Sequence, residues 1–222
     1  MAGKEQAVQG LDWREGGVPV SRRFDDPYFS LAGGLDEARH VFLAGNGLPE
    51  RFRAGFQIAE LGFGTGLNLL ATHLAKPGVT LSYTSFEAFP LDASEIAKAL
   101  TAFPEAMLVA GAFLQAWQVG LRRFDLGQIA VEVIVGDARD TLPIWQGKAD
   151  AWFLDGFSPA KNPELWSDDL MREVGLHTAA GGTFATYTAA GHVRRGLAAA
   201  GFTVERQTGF ARKRHMSVGH RP

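Results

Sequence analysis

Four acidic residues each close an apolar run, and that arrangement constrains the fold more than any other feature of the chain. Phe56–Ala59 runs into Glu60, Val79–Phe86 into Glu87, Ala130–Val135 into Gly136 and Asp137, and Asp150–Leu154 into Asp155. The runs are short and apolar, and most are rich in β-branched or aromatic residues, so they predict strands. Between them, Leu67, Leu70 and Leu74 stand at helical spacing within Leu67–Leu74, and Ala93–Leu100 and Glu105–Val119 read as helices. Pro77 and Gly78 end the first of these. Farther on, Leu170–His177 and Val193–Ala200 predict helices, and Thr183–Thr188, Phe202–Gln207 and Met216–Val218 predict strands. Alternation of this kind makes a mostly parallel sheet covered by helices on both faces. The last two strands lie too close in sequence for a helical crossover and must pair antiparallel. The expectation is therefore an α/β open sheet, mostly parallel with one antiparallel strand. Such sheets bind ligands at the carboxyl ends of their strands, where all four acids stand.

Length and composition narrow the classes. The 222 residues suit one domain with a decorated end, and 46% hydrophobic residues are too many for a disordered chain. No apolar run approaches the roughly 18 residues of a membrane helix, and Met1–Gly10 holds no apolar signal core. Cysteine is absent, which excludes disulfides, thiolate chemistry and cysteine-ligated zinc or iron–sulfur clusters. A cytoplasmic protein is the expectation. Residues 11–54 show little sustained period beyond a short helix at Leu35–Leu43, so residues 1–54 read as an extension packed on a core domain of residues 55–222. Fifty residues separate Glu87 from Asp137, more than one crossover needs. A helical insertion over about residues 92–120 accounts for the excess.

The turn after the first strand reads Glu60-Leu61-Gly62-Phe63-Gly64-Thr65-Gly66. Glycines at this point let the backbone turn sharply and approach a ligand at the start of a helix. Alone the pattern is compatible with a dinucleotide, an adenosyl ligand or a structural turn. A dinucleotide fingerprint would need glycine where Leu67 stands. Glu60 beside the loop would repel a pyrophosphate but suits a cationic ligand. This pattern resembles the first motif of class I S-adenosylmethionine-dependent methyltransferases, whose fold is a Rossmann-like open sheet. The resemblance implies that S-adenosylmethionine is the cofactor, held by Glu60, Gly62, Gly64, Thr65, Gly66 and Asn68, with Glu87 at the ribose and Asp137 near the adenine.

The segment Asp155-Gly156-Phe157-Ser158-Pro159-Ala160-Lys161-Asn162-Pro163-Glu164-Leu165-Trp166 follows the fourth run. A carboxylate such as Asp155 can orient an amine N–H and stabilise a cation that develops on methylation. Pro159 and Pro163 stiffen the loop, and Phe157 or Trp166 can stack on a planar base. With FDDPYFS (Phe24–Ser30), VFLAGN (Val41–Asn46), ELGFGTGLN (Glu60–Asn68), SFEAFPL (Ser85–Leu91) and GFARKRHM (Gly209–Met216), the segment resembles the methyltransferase family that completes 5-methylaminomethyl-2-thiouridine in tRNA. That resemblance implies N-methylation of 5-aminomethyl-2-thiouridine at the wobble position of the anticodon loop, with Asp155 at the catalytic centre. Many members carry a second, flavin-dependent oxidase domain. This chain shows no second glycine-rich fingerprint before Pro222, so the monofunctional form is expected.

Charge suggests where RNA would lie. The chain is −2 overall, yet residues 192–222 hold seven of its 22 basic side chains and one acid. Arg194, Arg212, Lys213 and Arg214 are candidates for phosphates, with Arg22 and Arg23 as a second edge. Phe24, Asp25 and Tyr28, with Phe157, Pro159, Lys161, Asn162 and Trp166, are candidates for the modified uridine. The six histidines form no ligand pair at helical spacing, so no metal is expected. The alternatives are an N-methyltransferase of a small amine or protein, a nicotinamide-dependent reductase, and a non-catalytic RNA-binding scaffold.

Overall fold

A computed structural model describes residues 10–30 and 32–222. Its centre is a sheet of β4 (Phe56–Leu61), β5 (Leu81–Glu87), β6 (Arg123–Leu126), β7 (Ile129–Val135), β8 (Ala149–Leu154), β9 (Thr178–Thr186), β10 (Thr203–Thr208) and β11 (His215–His220). Their order is β10-β11-β9-β8-β4-β5-β7-β6. The strands β7, β5, β4, β8 and β9 run parallel, and β11 lies antiparallel between β9 and β10. The chain starts at β4 in the middle, winds one way to β5 and β7, then returns to β8 on the other side. The gap beyond the carboxyl ends of β4 and β8 is therefore the switch point where open sheets bind ligands.

Two corrections to the sequence reading concern this sheet. A second antiparallel strand, β6, pairs with β7 at the far edge. Its sequence, Arg-Phe-Asp-Leu, has the charged exposed positions of an edge strand and no apolar run to announce it. β9 begins at Thr178 and runs through Gly181 and Gly182, which the sequence pattern places before the strand.

Ahead of the sheet, β1 (Leu11–Arg14), β2 (Val18–Ser21) and β3 (Asp26–Pro27) form a small antiparallel sheet. These strands have two to four residues, two of them contain proline, and so no alternating pattern builds up. The helix at Leu35–Leu43 starts as α1 (Gly34–Glu37) and widens into a π-helical stretch over Ala38–Leu43. The helix expected over Glu105–Val119 is two helices, α4 (Pro104–Val109) and α5 (Gly111–Gln118), meeting at Ala110; α3 (Ala93–Leu100) precedes them. Asp92 and Glu95 close a capping box on α3.

Side-chain alternation divides the core. Phe56 and Ile58 of β4 and Phe153 of β8 pack with α2 (Leu67–Leu74), Val41, Phe42 and Phe113. Ala59, Leu61, Trp152 and Leu154 pack on the other face with α7 (Asp168–Leu176) and α8 (Gly191–Ala199). The same alternation sends Glu60, Ser85 and Asp155 toward α2, because Glu60 is in register with Ser85 and Phe153. Among the described residues no helix is long and apolar enough to cross a membrane.

Candidate active site

The loop Gly62–Gly66 leaves β4 through glycines with φ of +82° (Gly62), +53° (Gly64) and +73° (Gly66). These are left-handed values that side chains resist. A Cβ at Gly62 would lie 3.1 Å from the Cα of Gly156 and 3.2 Å from the carbonyl oxygen of Asp155. The loop after β4 and the loop after β8 therefore touch backbone to backbone. α2 then begins at Leu67 with no side-chain cap, which leaves helix-terminal N–H groups for a ligand.

Asn68, in the first turn of α2, joins the two carboxylates that the pleat aims at it. Its Nδ2 donates to Glu60 Oε1 at 2.9 Å and to Asp155 Oδ2 at 2.8 Å. Ser85 Oγ donates to the other oxygen of Glu60 at 2.7 Å. Burial pushes Glu60 up to about 8, against hydrogen bonds from Ser85 and Asn68 that lower it. Asp155 also accepts from the N–H of Gly156 at 2.8 Å, and desolvation pushes it up to about 6. Both shifts run the same way, and that of Glu60 is the larger.

A cavity of about 930 Å³ opens over these groups. Of the residues singled out in the sequence, Gly62, Gly64, Thr65, Asn68, Glu87, Asp137, Asp155, Phe24, Tyr28, Phe157, Lys161, Asn162, Arg212 and Lys213 line it. Glu87 accepts from the N–H groups of Gly64 at 2.9 Å and Phe89 at 2.7 Å, and burial raises its pKa. Asp137 caps α6 (Ala138–Thr141) and pairs with Arg139 at 2.6 Å, the hydrogen bond that lowers its pKa. Phe24 stacks on Phe157 at 4.6 Å between centroids, and Tyr28 meets Phe157 edge-on at 5.0 Å. Burial raises the Tyr28 pKa, so its hydroxyl stays protonated. Asp26 accepts from the N–H of Ser158 at 2.8 Å, and Asp25 pairs with Lys161 at 2.7 Å, tying FDDPYFS to the loop after β8.

Other candidates lie off the cavity or are held by partners of their own. Glu60 lies beneath the wall, 1% exposed, with one oxygen bonded to Asn68 and the other to Ser85. Gly66 faces the rings of Phe113 and Phe63 and serves the turn into α2. Trp166 is 2% exposed, donates to the carbonyl of Phe157 and packs on Tyr187, so its ring is not presented to a base. Pro159 stands off the wall and shapes the loop. Arg194 turns its Nε to the carbonyl of Ala189 at the start of α8, and Arg214 is exposed outside the cavity wall, two residues beyond Arg212. Lys213 is not a free phosphate contact: its ammonium pairs with Glu37 at 2.8 Å and lies 4.1 Å from the centre of the Tyr187 ring.

Glu37 and Tyr187, both on the cavity wall, are not singled out by the sequence. Glu37 looks like one more polar residue of a short helix, and only the fold brings it to Lys213. Tyr187 directly follows β9, and its one signal is its place at a strand end. Among the described residues no group of three or more His, Asp or Glu is placed to hold a metal ion.

The strand order, with its antiparallel strand inserted beside the last edge, and the glycine loop at the switch point define a class I methyltransferase. The family model for S-adenosyl-L-methionine-dependent methyltransferases matches residues 104–222, and the chain belongs to that family. It is 45% identical over 225 residues to the tRNA 5-methylaminomethyl-2-thiouridine biosynthesis bifunctional protein MnmC of Ectopseudomonas mendocina, covering 94% of this chain and 34% of that protein. The Caulobacter vibrioides protein of the same name is 46% identical, over 97% of this chain and 39% of its own length. The chain thus spans about a third of the curated relatives it matches. The crystal structure of MNMC2 from Aquifex aeolicus superposes with a TM-score of 0.75 and 26% identity, over 97% of this chain and 71% of that one. Spermidine synthase from Thermotoga maritima shares the fold, with a TM-score of 0.56 at 10% identity.

The residues present fit S-adenosylmethionine. The glycine cradle holds the backbone open where a Cβ would collide, the start of α2 offers N–H groups to a carboxylate, and Glu87 and Asp137 offer acceptors to hydroxyl and amino groups.

Proposed function

We propose that this chain methylates the amine of 5-aminomethyl-2-thiouridine at the wobble position of a tRNA anticodon loop, giving 5-methylaminomethyl-2-thiouridine. The observation that carries the reading is Asp155. It is a carboxylate at the switch point, fixed by Asn68 and the Gly156 N–H, beside a wall of stacked aromatic rings. The names of the relatives point to the same modification.

S-adenosylmethionine, when bound, supplies an activated methyl group. The loop Gly62–Gly66 and the first turn of α2 would hold its amino-acid end, and Glu87 and Asp137 its nucleoside. Asp155 does the remaining work. An alkylamine arrives as an ammonium and must lose a proton before its lone pair can attack. Asp155, its pKa pushed up to about 6, takes that proton and passes it to solvent. It then accepts a remaining N–H, fixes the direction of the lone pair and stabilises the cation that forms on nitrogen, which in turn gives its extra proton to solvent. Phe24, Tyr28 and Phe157 would flank an extruded base, and a wobble base costs little to flip because it is unpaired. Arg212 at the rim and Arg214, exposed beyond it on the same connection, would hold phosphates. In this reading residues 55–222 form the methyltransferase domain, with a helical insertion at 92–120; of the extension at 1–54, residues 1–9 and 31 lie outside the described residues and the rest add wall to the substrate side.

Nucleoside mass spectrometry of tRNA bearing 5-aminomethyl-2-thiouridine, incubated with the protein and S-adenosylmethionine, tests this. A gain of one methyl on that nucleoside is expected. An unchanged nucleoside, with the protein shown to bind the cofactor, overturns the reading.

A further inference from the structure

Glu37 is a buried acid, 8% exposed, on the cavity wall. Burying such a group is costly unless it is paired, and its partner is Lys213 at 2.8 Å. The Lys213 ammonium also sits 4.1 Å from the centre of the Tyr187 ring, and Tyr187 Oη donates to the carbonyl oxygen of Gly156 at 2.8 Å. Gly156 is the neighbour of Asp155. Thus a negative and a positive charge, held to each other, share the cavity wall with the carboxylate proposed to meet the amine and are linked to its neighbour through Tyr187. Asp155 feels both: Glu37 raises its pKa and Lys213 lowers it. Of the other charged side chains on this wall, Lys161 is paired with Asp25 and Arg139 with Asp137, while Arg212, beside Lys213, makes no ion pair among the described residues.

A lone lysine here would attract carboxylates and repel ammonium ions. With Glu37 against it, the lysine's share of that attraction is cancelled. The distinction matters for substrates that differ by one acid group. An aminomethyl group arrives as a cation, whereas the same group carrying an added carboxymethyl also bears a carboxylate.

We propose that the Glu37–Lys213 pair is a charge selector that admits a cationic aminomethyl group and turns away an amine bearing a carboxymethyl. The proposal rests on the tRNA reading above and assigns its specificity. Glu37 acts through Lys213 and the local field, and is a specificity residue with no role in the transfer step.

The test uses two tRNAs, one bearing 5-aminomethyl-2-thiouridine as substrate and one bearing 5-carboxymethylaminomethyl-2-thiouridine as inhibitor. The discrimination is the inhibition constant of the second divided by the KM of the first, measured for wild type, Glu37→Gln and Lys213→Met. Glu37→Gln uncovers the lysine, and discrimination should fall about tenfold, the scale of one unit charge acting across several ångströms of protein. Lys213→Met leaves the acid uncovered, and discrimination should rise. A purely structural pair predicts that both variants, each breaking the same ion pair, shift it in the same direction. That result, or no shift in either, overturns the selector. Wild-type protein that leaves the aminomethyl tRNA unmethylated overturns the substrate reading, and the selector with it. Methylation by wild type with parallel shifts in the variants overturns the selector alone.

Discussion

Asn68 holds Asp155 with a hydrogen bond of 2.8 Å, and the same amide nitrogen serves Glu60 at 2.9 Å. Its bond to Asp155 favours the ionised carboxylate and works against the desolvation that pushes this group up to about 6. Replacing Asn68 by alanine removes that donor. The pKa of Asp155 then moves higher, so the acidic limb of the kcat profile should shift to higher pH. At neutral pH kcat should drop about tenfold or more, the usual scale for losing one positioned hydrogen bond. A pH series of methyl transfer by the variant checks this; an unmoved limb contradicts it.

Glu60 makes stability depend on pH. Its folded pKa, about 8, exceeds its ordinary value of 4.5. Below 4.5 both the folded and unfolded forms carry the proton, and nothing is lost. As pH rises from 4.5 toward 8 the unfolded chain ionises first, and folding weakens by at most about 1.4 kcal/mol per pH unit from this group. Asp155 adds the same sign between 3.8 and about 6. Denaturant titrations from about pH 5 to about pH 8 should show the decline in wild type and a flatter curve in Glu60→Gln. Equal slopes would remove Glu60 as its source.

Gly62 is where the two loops meet. Its φ of +82° and the 3.1 Å approach to Gly156 make Gly62→Ala strained in two ways. A loss of about 1–3 kcal/mol in stability is expected, with weaker cofactor binding by calorimetry. Gly181→Ala is the control, since φ is +71° there but nothing lies within 4 Å of the added Cβ. It should cost about 1 kcal/mol and leave binding intact.

Arg212 and Arg214 should carry a salt-dependent share of tRNA affinity. Alanine at both should weaken binding and reduce the slope of log affinity against log salt by about two, one for each phosphate no longer neutralised. Filter binding across a salt series gives that slope. An unchanged slope removes both residues from the interface.

Much of the sheet was legible because buried parallel strands leave continuous apolar runs, and the four strand-end acids mark where they stop. Glu87, Asp137 and Asp155 reach the cavity for that reason. Strands β1, β2, β3 and β6 were not legible, since short or charged edge strands carry no period. Within the site, the partners of Trp166 and Lys213 were not legible for a related reason. Residue type announces what a side chain can do, but the direction it faces depends on partners far away in sequence. Trp166 found the Phe157 carbonyl, and Lys213 found Glu37. Glu37 was invisible because its meaning lies wholly in that pairing.

The central claim is that Asp155 receives the amine. Single-turnover transfer of labelled methyl from S-adenosylmethionine to tRNA bearing 5-aminomethyl-2-thiouridine tests it, comparing wild type with Asp155→Asn and measuring cofactor affinity for both. The account predicts a rate at least about a hundredfold lower in the variant, with cofactor affinity changed only a few-fold. Transfer by Asp155→Asn at the wild-type rate would contradict it.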